Sequence, residues 1–149
     1  MAFQRIYFFV KEEDLSEEII NKLSEYEKII NAIFESKNKE GFTAQYIDLK
    51  ENILSVLNDV SINKEFLEEK NYDEMKNNLR SLKTINNELY CEIKADLDLI
   101  LINVKKIQNL VDLLQKAESV VQLNKLLLIL KKALSQKCAI IQISTETEE

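Results

Sequence analysis

The chain has 149 residues, no proline and one glycine, Gly41. Those two residue types carry most tight turns, proline by fixing φ and glycine by accepting positive φ. A sheet protein needs such residues roughly every ten positions. A few long helices need almost none. The composition therefore predicts an all-α protein, a long antiparallel coiled-coil bundle of three to four helices. A chain of this length buries a core without help from metal or disulfide.

The apolar spacing supports that reading. Asp14 and Glu17 have capping-box spacing. The seam that follows, Ile19, Leu23, Tyr26, Ile30 and Ile33, advances in alternating heptad steps. Ser36 to Gly41 interrupts it, with Gly41 as the stop. Thr43 is placed to cap a second helix with the seam Tyr46, Leu49, Ile53, Val56, Val60, Asn63 and Leu67. Asn63, and Asn86 further on, read as polar seam residues that set register. A third seam runs from Met75, Leu79, Leu82, Leu89 and Ile93, through a stutter at Leu97, to Ile100, Val104, Ile107, Val111 and Leu114. As one helix, residues 72–116 would be about 65 Å long.

Charge divides the chain more sharply than apolarity does. Ser119 to Ile143 holds Lys125, Lys131, Lys132 and Lys137 and no acidic residue, although the net charge is −6. The expected organisation is an acidic helical body over 1–118, a basic amphipathic docking helix over 119–143 and an acidic disordered tail over 144–149. Ser119 and Gln122 again have capping-box spacing, and the stripe Val120, Leu123, Leu127, Leu130 and Leu134 satisfies one face. Val121 and Leu128 lie about 100° from it and Ile129 lies opposite, so a second contact is required. Val121, Leu128 and Ile129 are the expected partner contacts, with Lys125, Lys131 and Lys132 steering an acidic partner face. The plain alternatives are a final bundle helix buried on both sides, or a basic helix lying on an anionic membrane.

Other function classes lose support. Histidine is absent, which removes the commonest general base and transition-metal ligand. Glu68-Glu69 and Asp96/Asp98 read as solvated helix faces, since a di-iron bundle site pairs Glu with His. Cys91 and Cys138 are too far apart in sequence for a zinc or redox motif and read as buried free thiols in a reducing compartment. The patch Ile6-Tyr7-Phe8-Phe9-Val10 is too short for a signal-peptide core or a membrane span. It reads as a cap on the open end of the bundle, or as an aromatic anchor for a partner. Eighteen lysines against only Arg5 and Arg80 argue against nucleic acid. The expectation is a cytoplasmic, non-enzymatic protein binder without cofactor or metal, without stable membrane insertion and with possible homo-oligomerisation.

Three stretches carry a resemblance: the first helix Leu15–Phe34, the segment Asp48-Leu49-Lys50-Glu51-Asn52, and Leu82-Lys83-Thr84-Ile85-Asn86-Asn87-Glu88-Leu89. Over roughly residues 12–137 the organisation resembles the FlgN-like family of flagellar export chaperones. The resemblance implies a helix-only chaperone whose C-terminal amphipathic segment binds secreted hook-associated proteins and works with the export apparatus. The alternatives are a structural coiled-coil oligomer and a helical-bundle regulator that binds a partner helix.

Overall fold

The computed structural model describes residues 2–35, 40–118, 121 and 123–147, and it overturns the all-α expectation. Among these residues six helices share the fold with a four-stranded antiparallel sheet. The chain packs as two units, residues 13–61 and residues 1–12 with 62–149.

The first unit is a helical hairpin of α1 (Glu17–Glu35) and α2 (Glu40–Val60). Ile19, Leu23 and Tyr26 of the expected seam are buried, as is Ile53 opposite them; Leu57, off the seam, is buried too. Lys22 Nζ donates to Asn52 Oδ1 at 2.7 Å and the Tyr26 and Tyr46 rings stand 5.6 Å apart, so the helices run antiparallel. The boundaries differ from expectation. Ser16 rather than Asp14 caps α1, its Oγ accepting from the Ile19 amide at 3.3 Å. Gly41 and Thr43 lie within α2, so neither is a stop or a cap. Residues 36–39 lie outside the described residues.

The second unit is built on the sheet. Its strands are β1 (Ala2–Lys11), β2 (Asn63–Glu68), β3 (Leu101–Ile102) and β4 (Cys138–Thr147), in the order β2-β1-β4-β3. The two central strands come from opposite ends of the sequence. They pair in register from Ala2 with Thr147 to Lys11 with Cys138. β1 is rich in aromatic side chains and β4 in β-branched ones, which suits a pleated, packed surface. Tyr7, Phe9, Cys138 and Ile140 join the core on one face of the sheet. Ile6, Phe8, Val10, Ala139, Ile141 and Ile143, on the other face, are buried as well. Strands buried on both faces read as unbroken apolar runs without alternation. That is why Ile6 to Val10 passed for a bundle cap and 138–143 for the end of a helix.

Four helices cover the Tyr7 face: α3 (Glu69–Ile85), α4 (Asn87–Leu97), α5 (Val104–Ala117) and α6 (Asn124–Ser135). Their inward residues include Leu79 and Leu82, Ile93 and Leu97, Ile107 and Leu114, Leu126 and Leu130, all in one cluster. The expected long third helix is thus broken twice. Asn86 leaves helical geometry at φ −151° and ψ 86°, and its side chain accepts from the Leu89 amide to start α4. Asn103 starts α5 in the same way, through the Lys106 amide at 2.9 Å. Asn63, expected in a helical seam, opens β2.

The docking helix expected over 119–143 is corrected in the same terms. Residues 119, 120 and 122, which carry the expected cap, lie outside the described residues. The helix itself covers only Asn124–Ser135 and its inner face is core. Lys137 then adopts φ 57°, a left-handed residue that ends the helix, its amide donating to the Leu134 carbonyl at 3.0 Å. A lysine bears here the conformation for which glycine is the usual signal, at a cost of roughly 1–2 kcal/mol. The expected disordered tail begins inside β4, where Ser144 pairs with Arg5 and Thr145 with Gln4.

Candidate functional site

β2 lies at the edge of the sheet, hydrogen-bonded to β1 on one side only among the described residues. An edge strand presents backbone donors and acceptors that a further strand can take up. α6 runs beside this edge. Glu65, Phe66, Leu67 and Asn71 on one side, and Lys125, Leu128, Ile129 and Lys132 on the other, line a groove of about 310 Å³. An ion pair between Lys132 Nζ and Glu65 Oε1 ties the helix to the strand across it. Phe66 is 48 % exposed and Leu128 66 %, so two large apolar side chains face solvent at one groove. Lys64 Nζ sits 5.6 Å from the centre of the Phe66 ring. Leu67, Asn71 and Lys125 also line a neighbouring hollow of about 200 Å³, which continues the groove between α3 and the start of α6.

The structure brings four of the six sequence-predicted partner contacts to this groove and separates two. Lys125, Leu128, Ile129 and Lys132 line it. Ile129 does so from a largely buried position, so it supplies floor more than an exposed contact. Val121 is packed into the core beside Leu123, against the expectation that it faces a partner. Lys131 is exposed but does not line the groove. Sequence reasoning missed Glu65 and Phe66, because they fell between the seam positions Asn63 and Leu67 of the expected second helix. Asn63-Lys64-Glu65-Phe66-Leu67-Glu68 has no apolar–polar alternation, so its spacing carried no strand signal.

The remaining candidates resolve locally. Asp98 pairs with Lys94 at 2.7 Å, and Asp96 accepts from Asn109. Glu68 and Glu69 are exposed at the β2–α3 junction. Cys138 is buried, whereas Cys91 is exposed, correcting the expectation of two buried thiols. Among the described residues no cluster of three or more His, Cys, Asp or Glu could hold a metal. No described helix is long and apolar enough to cross a membrane.

A polar network crosses the central strands on the helix-covered face. The guanidinium of Arg5 donates to Gln142 Oε1 at 3.2 and 3.3 Å and to Ser144 Oγ at 2.6 Å. The Gln142 amide donates in turn to the carbonyls of Leu97 and Leu99, leaving this buried side chain fully paired. Arg5 also stacks 4.9 Å from the centre of the Tyr72 ring. Beside it, the Tyr7 hydroxyl is buried with no hydrogen-bond partner among the described residues. Burial pushes its pKa up to about 12, and the Arg5 guanidinium offsets only part of that rise.

No protein-family description, no curated protein and no solved structure matches this chain.

Proposed function

We propose that the chain is a non-enzymatic protein-binding adaptor or chaperone, and that the groove between β2 and α6 takes an apolar segment of a partner protein. The observation that carries this reading is the exposure of Phe66 and Leu128 at one groove whose strand edge is unpaired among the described residues. Such an edge favours an extended segment, which adds a strand through its backbone and places alternate side chains in the hollow. Lys125 favours an acidic residue flanking that segment, while Lys132 is engaged by Glu65. A cytoplasmic setting belongs to the same proposal and is supported by the free, exposed Cys91 thiol.

Secreted hook-associated flagellar proteins, the clients implied by the FlgN-like resemblance, are the first candidates to test. The all-helical organisation behind that resemblance is not the fold of this chain, so the choice of partner rests on the groove. The test is peptide display against the purified protein, followed by amide chemical-shift mapping of the selected peptides. Binders that shift residues 63–68 and 125–132, and that lose affinity with Leu128→Asp, support the reading. Binders whose shifts fall elsewhere, unaffected by Leu128→Asp, refute it.

A further inference from the structure

The Arg5 network borders a cleft of about 240 Å³, separate from the β2–α6 groove and walled by β1, α3, α4 and Gln142 of β4. Both arginines of the chain, Arg5 and Arg80, line it together with Lys76 and Lys94. Lys94 is neutralised by Asp98, which leaves Arg5, Lys76 and Arg80 with no ion-pair partner among the described residues. This concentration of positive charge occurs in a chain of net charge −6. A solvated surface would explain Lys76 and Arg80 alone, because both are exposed. It does not explain Arg5, which is half-buried and held rigidly by Gln142 and Ser144.

Tyr7 is the second, independent observation. Its side chain is only 1 % exposed and lines the same cleft, and its hydroxyl has no partner among the described residues. Buried hydroxyls are nearly always paired, because an unmet one is costly. Tyr7 lines the cleft alongside Arg5 and Tyr72. A neutral phenol there is a donor, and the guanidinium retains N–H groups beyond the three already engaged. Aromatic and apolar side chains, Tyr72, Tyr90 and Leu79 among them, complete the lining.

We propose that this cleft binds a small organic phosphate monoester, its phosphoryl oxygens taken by Arg5, Arg80 and the Tyr7 hydroxyl and its organic part lying against Tyr72. Three cations without an ion-pair partner among the described residues match a dianion better than a single carboxylate, and the arginine fork fits phosphate oxygens in pairs. The cavity is smaller than pockets that hold drug-sized ligands, so a compact molecule is required.

The experiment uses the full chain with phenyl phosphate, inorganic phosphate and benzoate, read by calorimetry and by the ring signals of Tyr72 and Tyr90. Saturable binding of phenyl phosphate, tighter than either inorganic phosphate or benzoate, supports the proposal. Tyr7→Phe and Arg80→Gln should each weaken it about tenfold or more, the loss expected for one hydrogen bond to a charged group. Arg80 is exposed, so Arg80→Gln keeps the fold even if Tyr7→Phe does not. Leu128→Asp should leave this binding unchanged, which separates the cleft from the groove. Three outcomes overturn the proposal: no binding beyond that of chloride at equal ionic strength, benzoate binding as tightly as phenyl phosphate, or wild-type affinity in both variants.

Discussion

Leu127 and Leu128 are neighbours of one residue type on one helix, yet they are 5 % and 66 % exposed. Replacing each in turn with Asp separates burial from every other effect. Both replacements carry the same loss of helix propensity, about 0.5 kcal/mol. At position 127 nearly the full transfer energy of a leucine is also lost, about 2–3 kcal/mol, and a carboxylate must be buried or protonated at a cost of several more. That sum approaches the whole stability of a domain this size, about 5–15 kcal/mol. At position 128 about a third of the transfer energy is at stake, under 1 kcal/mol. The new carboxylate would stand three residues after Lys125 and four before Lys132, spacings that each return about 0.3 kcal/mol. Circular dichroism melts should therefore show Leu128→Asp within a few degrees of the parent, and Leu127→Asp without a cooperative transition. Equal damage from the two would mean that both sides of α6 are internal, and the groove would be no binding surface.

Two further outcomes test the second unit from other directions. Tyr7 releases its proton at about 12 in the folded chain and near 10 when unfolded. Its contribution is therefore fully present below pH 10 and is lost as pH rises from 10 towards 12, by about 2–3 kcal/mol. Urea unfolding at pH 9 and pH 11 should show a smaller drop for Tyr7→Phe than for the parent, and parallel drops would contradict the buried phenol. With a thiol-specific dye, exposed Cys91 should react at once in the native protein and buried Cys138 only on unfolding; two fast thiols would place β4 outside the core.

Much of the helical pattern was legible because amphipathic spacing records which face of each helix is buried, whatever it is buried against. Met75, Leu79, Leu82, Ile93, Leu97, Ile107, Val111 and Leu114 were all expected inside and are buried. The same spacing could not reveal that they pack on a sheet. Steps of three and four ran on through Ile100, which is only half-buried, while Ile102 of β3, off that seam, is fully buried. The breaks were hidden because Asn86, Asn103 and Lys137 perform the turns where Pro or Gly would have advertised them. A low Gly and Pro content therefore limited how the turns are made, and did not limit how many there are.

The candidate sites show the same division between local and distant information. Leu128 could be singled out because its exposure follows from its angle to the stripe Leu123, Leu127 and Leu130, all on one helix. Phe66 and Glu65 could not, because the groove exists only where an edge strand meets that helix. The Arg5 cleft is a stronger case. Its residues come from positions 5 to 142, and they meet because β1 and β4 pair across nearly the whole sequence. Arg5 and Tyr7 share one wall because they stand two residues apart on β1, and the pairing adds Gln142, opposite Tyr7 and diagonal to Arg5, which holds the guanidinium. A one-residue slip of β4 would turn Gln142 to the other face and dismantle the cleft. Ile140 and Ile141, wholly buried on opposite faces, would tolerate that slip, so the register is held by Gln142, whose hydrogen bonds to Arg5, Leu97 and Leu99 exist on one face only. The polar pairing that fixes the register thus also fixes the geometry of the cleft.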